Sequence, residues 1–149
     1  MSLLEIKNLH TYFETRRGLI KAVYGVTLKV EKGRTLGIVG ESGSGKSQTA
    51  MSILRLFEHN QKIFEGEILF EGKDLAKLTE AELRTIRGND VSMIFQEPMT
   101  SLNPVFTVTR QISEVLMLHQ KLTKEEAAKR TVEMLASVKI PNPEEVAKM

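Results

Sequence analysis

Eight consecutive residues, Gly40-Glu41-Ser42-Gly43-Ser44-Gly45-Lys46-Ser47, fit the spacing G-x-x-x-x-G-K-[ST]. Glycines at these places let successive main-chain N–H groups converge on one concavity. A helix beginning near Gly45 adds unsatisfied amides and the positive end of its dipole. Lys46 then supplies a mobile ammonium for the outer phosphates, and the Ser47 hydroxyl is a small, hard oxygen ligand for Mg²⁺. The pattern implies a nucleoside triphosphate with magnesium. The bland alternative is a flexible glycine loop with a solvated lysine, which the flanking elements argue against. A dinucleotide fingerprint fails, because Gln48 stands where the third glycine after Gly43 and Gly45 belongs. No N-K-x-D sequence reads a guanine base.

The elements around the loop are those it requires. Leu4, Ile6 and Leu9 roughly alternate with polar residues, and the extended run continues to Phe13 before a basic turn at Arg16-Arg17-Gly18. Val26, Leu28 and Val30 alternate in a second half-buried strand. Thr35 to Val39 is a short apolar run suited to a strand buried on both faces. Lys46 to Phe57 follows with Met51, Leu54 and Phe57 at helical spacing. Glu65 to Asp74 reads as a hairpin turning near Glu71-Gly72-Lys73. Thr79 with Glu82 forms a capping-box signature for a helix that stops at Gly88. Val91 to Phe95 is a second buried-strand candidate. A proline-containing loop, Glu97 to Pro104, then leads to helices. The first carries Ile112, Val115, Leu116 and Leu118. The next is capped by Thr123 and Glu126, with Ala128, Val132 and Leu135 on one face. Asn142 at N-cap and Pro143 at N1 open one more.

Composition narrows the classes further. The 149 residues hold 21 basic and 19 acidic side chains, a net charge of +2, scattered without the stripe a nucleic-acid surface needs. With no cysteine there are no disulfides, thiolate metal sites or cysteine nucleophiles. No apolar run approaches the length of a membrane-spanning helix, and the first residues lack the blocks of a signal peptide. His10, His59 and His119 have no ligand spacing to one another. All ten glycines lie between Gly18 and Gly88. The expected class is α/β, β-rich first and helical second.

With the loop placed, the sequence resembles one family, the ATP-binding subunits of ABC transporters, and within it the oligopeptide/dipeptide permease branch, which includes nickel importers. Leu36 to Ser47 is similar to that branch's P-loop almost throughout. Phe95-Gln96-Glu97-Pro98-Met99-Thr100-Ser101-Leu102-Asn103-Pro104 is longer and more idiosyncratic, and so more diagnostic. The resemblance implies an ABC-type nucleotide-binding domain of the P-loop NTPase fold, single and incomplete over 1–149. Residues 1–96 would form the β-subdomain and P-loop portion, and 97–149 the Q-loop and the start of the helical subdomain. It implies ATP and Mg²⁺ as cofactors. Gly40, Glu41, Ser42, Gly43, Ser44, Gly45, Lys46, Ser47 and Gln48 would meet the phosphates. Phe13 sits where the family stacks an aromatic ring on adenine, with Tyr12 as the fallback, and Val23 would touch the purine from the same side. Gln96 matches the glutamine that approaches Mg²⁺ and the attacking water, so that Lys46 and Gln96 are the catalytic candidates and Ser47 and Gln96 the metal ligands. The implied partners are integral-membrane permease subunits, a second ATP-binding subunit in a head-to-tail dimer and, indirectly, an extracytoplasmic solute-binding protein. The implied location is the cytoplasmic face of a prokaryotic cell membrane.

The family's signature needs adjacent glycines, and this chain has no Gly-Gly pair. Its second acidic motif needs an apolar run ending in Asp and Glu; the near miss, Ile68-Leu69-Phe70-Glu71, falls in the hairpin. No later strand carries a switch histidine. The expectation is therefore an N-terminal portion of a longer ATPase subunit that binds nucleotide weakly and turns it over negligibly by itself. A non-hydrolysing nucleotide-binding or interaction fragment is the alternative from another class. A P-loop kinase would need an acceptor pocket for which the sequence offers no constellation.

Overall fold

The computed structural model describes residues 2–149, Pro98 by its main chain alone. The chain divides into two compact units, one ending at Arg87 and one beginning at Gly88. That boundary lies earlier than the expected 96/97 division.

The first unit is built on four strands: β1 (Ser2–Thr15), β2 (Gly18–Glu31), β3 (Gln61–Phe70) and β4 (Lys73–Asp74). They lie in the order β2-β1-β3-β4, each neighbouring pair antiparallel. The turn between β1 and β2 is only Arg16-Arg17, closed by the Thr15–Gly18 pair, and Thr15 Oγ1 donates to the Gly18 carbonyl at 2.8 Å. In the middle strand, Ile6 faces Leu28 on one side and Ile68 on the other. Ile6, Leu9 and Ile68 are all fully buried, each contributing about 1.5–3 kcal/mol through area removed from water. Helix α1 (Lys46–Ile53) packs on β1 and β2, and α2 (Glu80–Ile86) adds buried Leu83 and Ile86 to the unit.

Three sequence expectations change here. Helix α1 stops at Ile53, short of Phe57, because Arg55 turns into the left-handed region at φ 49°. The exposed carbonyls at that end are taken by Arg87, whose Nε donates to Leu54 O at 2.8 Å and Nη2 to Arg55 O at 3.1 Å. The apolar run 35–39 forms no strand: among the described residues none pairs with it, and Ile38 and Val39 are exposed. The run 91–95 behaves alike, with a single bridge at Val91 and Ile94 in solvent. A strand buried on both faces exists only through its ladder neighbours, and an apolar run alone does not supply them.

The second unit holds α3 (Val108–Gln120), α4 (Lys124–Ser137) and α5 (Pro143–Val146). The seam of α3 and α4 is partly polar. Thr131 Oγ1 donates to Ala127 O at 2.8 Å and lies 3.2 Å from Ser113 Oγ, so its hydroxyl accepts from the serine. The buried stripe of α4 is Ala127, Thr131 and Leu135, one residue around the helix from the expected Ala128 and Val132. On α3 it is Ser113 and Leu116, whereas Val115 and Leu118 are exposed. Asn142 precedes α5 in a left-handed turn at φ 49° without a side-chain cap, so Pro143 alone carries that start. Among the described residues no helix is long and apolar enough to cross a membrane.

Candidate functional site

The glycine-rich loop arrives at the N-terminus of α1 as the spacing requires, although from an unpaired run. Ser44 N–H donates to Glu41 O at 3.1 Å, which turns the loop, and Gly45 at φ 92° is the N-cap residue of α1. Gly45 O then accepts from both Thr49 N–H, at 2.9 Å, and Thr49 Oγ1, at 2.8 Å. The Lys46 ammonium folds back over the loop, donating to the carbonyls of Gly40 and Glu41, the latter at 2.9 Å, and to Ser44 Oγ at 3.3 Å. Glu41, Ser42, Gly43, Ser44 and Ser47 are exposed, and no hydrogen bond within the described residues holds the Ser47 hydroxyl.

The backbone fits a phosphate cradle on steric grounds. A Cβ at Gly40 would lie 2.6 Å from Ser44 Oγ, and one at Gly45 would lie 2.6 Å from the Ala22 carbonyl of β2. The Gly45 contact is with main chain, so that position needs glycine, whereas a Cβ at Gly40 would require the Ser44 hydroxyl to turn aside. A polyphosphate here would meet main-chain N–H donors of the first helical turn and an ammonium already held by loop oxygens. The Ser47 hydroxyl, with no hydrogen-bond partner among the described residues, is a hard oxygen suited to a magnesium ion.

Strands β1 and β3 hold the start of α1. Thr11 Oγ1 is 2.9 Å from Ser52 Oγ, which itself donates to Gln48 O at 2.6 Å. Gln61 Nε2 donates to Gln48 Oε1 at 2.6 Å. Thr11 thus faces α1, and Phe13, two residues on and half-buried, pairs with Gln61. Tyr12 is committed elsewhere: its hydroxyl is 2.7 Å from His10 Nδ1 and its ring lies 4.9 Å from Phe64. Val23, 2% exposed and paired with Thr11, is core and offers no surface to a base. Gln61 opens β3 four residues before Glu65, where the sequence places the start of the hairpin, and it is buried.

Gln96 belongs to the second unit. It ends no buried strand: it lies exposed at a bend between the unpaired run and the turn at Pro98–Thr100. Of the histidines, His10 is bonded to Tyr12 and, at 3.1 Å, to Asn8 Oδ1, while His59 is exposed and His119 half-buried on α3. Among the described residues no cluster of His, Asp or Glu could hold a metal ion.

The family model of the ABC transporter matches residues 23–148. The oligopeptide transport ATP-binding protein OppD of Bacillus subtilis (strain 168) is 53% identical over 143 residues, covering 95% of this chain and 40% of its own length. The dipeptide transport ATP-binding protein DppD of Lactococcus lactis subsp. cremoris (strain MG1363) is 50% identical, with 95% and 41% covered. The chain thus spans about 40% of the length of the curated relatives it matches. A dimeric structure of a bacterial ABC transporter cassette superposes with a TM-score of 0.76 at 25% identity, over 97% of this chain and 60% of that one. A dimeric post-hydrolysis cassette bound to ADP and Pi gives 0.78 at 26%, with the same coverage. The fold is that of the ABC cassette, present in part. With a model that matches most of its length and relatives about half identical to it, the chain belongs to the ABC transporter family, on the branch whose curated members are named for oligopeptide and dipeptide transport.

Proposed function

We propose that this chain is the nucleotide-binding part of the ATP-binding component of a peptide importer, and that it holds Mg·ATP on Gly40 to Gln48. One observation carries the reading: a G-x-x-x-x-G-K-S loop seated on the first turn of α1, with its last glycine, Gly45, held against main chain at a distance no Cβ tolerates. The relatives' names supply the solute class, peptides ahead of nickel. In the proposed complex the loop amides and Lys46 bind the phosphates, and Phe13 packs against the adenine. Ser47 would be a ligand to Mg²⁺, which when bound screens the phosphate charge and withdraws electrons from the terminal phosphorus. Lys46 shifts from the loop carbonyls to the outer phosphates, whose full charges make them the stronger acceptors.

The whole protein would couple ATP hydrolysis to transport as a head-to-tail pair of such cassettes at the cytoplasmic face of the membrane. It would be joined to permease subunits through the Gln96 loop and the helices after it, and served by an extracytoplasmic solute-binding protein. This chain's own contribution is binding.

Calorimetric titration with Mg·ATP tests the reading. Saturable one-to-one binding is expected, weakened at least about tenfold by Lys46→Ala, since a charge-assisted contact with phosphate contributes about 1.5–3 kcal/mol. Phe13→Ala should weaken ATP by about two- to tenfold, the range of an aromatic stacking contact, and leave Mg·tripolyphosphate unchanged. A folded chain that takes up no nucleotide, or that binds equally well without Lys46, refutes it.

A further inference from the structure

Gln61, the first residue of β3, is 7% exposed, and its amide has only one workable orientation. The main-chain N–H of Glu58 can only donate, so its acceptor at 3.4 Å is Gln61 Oε1. The other arm, Nε2, then donates to Gln48 at 2.6 Å, and Gln48 must answer with its Oε1. Gln48 Nε2 is left with both its N–H donors, and no acceptor among the described residues meets them. Gln48 is also fixed through its main chain, because its carbonyl accepts from Ser52, whose hydroxyl is held in turn by Thr11 of β1. A side chain so constrained presents its donors in one direction.

We infer that Gln61 is a positioning residue of the nucleotide site: it orients the Gln48 amide so that Nε2 donates to a phosphate oxygen. This rests on the reading that Gly40 to Gln48 hold a polyphosphate. Gln48 directly follows Ser47 of the cradle, and its Gln61 partner is the cross-strand neighbour of Phe13. The donor therefore belongs to the phosphate nearest the nucleoside. Two unpaired N–H groups, with the carbonyl oxygen turned to Gln61, suit an anionic oxygen. Without Gln61 the amide can turn over and present its carbonyl instead, which repels a phosphate.

The test is a double-mutant cycle on binding. Mg·ATP and Mg·tripolyphosphate are titrated into wild type, Gln61→Met, Gln61→Leu, Gln48→Met and Gln48→Met/Gln61→Met, with thermal unfolding of each recorded. Gln61→Met and Gln48→Met should each weaken both ligands by about tenfold or more, as loss of one hydrogen bond to a charged group does. The double variant should be no weaker than Gln48→Met alone, because Gln61 acts only through that amide. Gln61→Leu keeps the test available if the methionine variant folds poorly. Two results overturn the inference while leaving the nucleotide reading intact: additive losses in the double variant, or a Gln61 variant that lowers Tm but binds both ligands like wild type. A loss confined to ATP also overturns it, since the donor would then serve the sugar. Wild type that binds neither ligand removes the nucleotide reading, and this inference with it.

Discussion

Gly45 shows how a single missing side chain sets a site. Its φ of 92° lies where an L-residue costs about 1–2 kcal/mol, and a Cβ there would also strike the Ala22 carbonyl of β2. Gly43, at φ 80°, has the same dihedral demand with open space around it. Gly43→Ala should therefore destabilise by about 1–2 kcal/mol, from the dihedral cost alone. Gly45→Ala should cost more, because helix and strand must also separate; urea denaturation of the two variants measures the difference. Equal losses would mean that the contact between α1 and β2 sets nothing. The phosphate loop was legible because its requirements are local: dihedrals, donors and one ammonium lie within eight consecutive residues. The preference for Phe13 over Tyr12 as the base-stacking residue rests on the resemblance. What separates them physically is that Tyr12 meets His10 and Phe64 while Thr11 meets α1, and strand alternation does not say which face a distant helix will take.

Among the elements, α2 and α4 begin with closed capping boxes, Thr79 with Glu82 and Thr123 with Glu126, as their spacing predicts. Four residues suffice to specify such a start, which is why these ends were readable and the start of α3, capped by Thr107 without a box, was not. Periodicity identifies a helix but not its buried face when apolar residues stand on two sides, and Val115 and Leu118 of α3 proved exposed. Hydrogen bonds from Thr79 and Thr123 hold the carboxyls of Glu82 and Glu126 below the usual glutamate range. A depressed carboxylate stabilises the fold fully above its unfolded value, near about pH 4.3, and the contribution is lost as pH falls through the lower folded value. Replacing both by glutamine keeps a box-competent side chain at N3 but removes the titration. The Glu82→Gln/Glu126→Gln variant should thus lose helical circular dichroism less steeply than wild type as pH drops below about 4.3. Superimposable acid limbs would show that the boxes do not report on pH.

At the scale of the molecule, composition and architecture meet at one point: glycine ends at Gly88, where the second unit begins. The sheet unit needs glycine for two-residue turns, left-handed positions and the phosphate loop, whereas packed helices gain nothing from it. What local pattern could not foresee is the fate of the two apolar runs, because a strand's existence depends on a partner distant in sequence. Those runs leave Ile38, Val39 and Ile94 in solvent with unpaired main chain, at 51%, 96% and 94% exposure. Extended apolar backbone of this kind is a template for pairing between copies. Sedimentation velocity should accordingly show association that grows with protein concentration. Val39→Lys, which puts a charge on the most exposed of these residues, should shift the equilibrium toward monomer. A wild-type chain that sediments as one species from micromolar to submillimolar concentration would show that 35–39 is covered by some other means. A Val39→Lys variant that associates as strongly as wild type would assign the contact elsewhere on the surface.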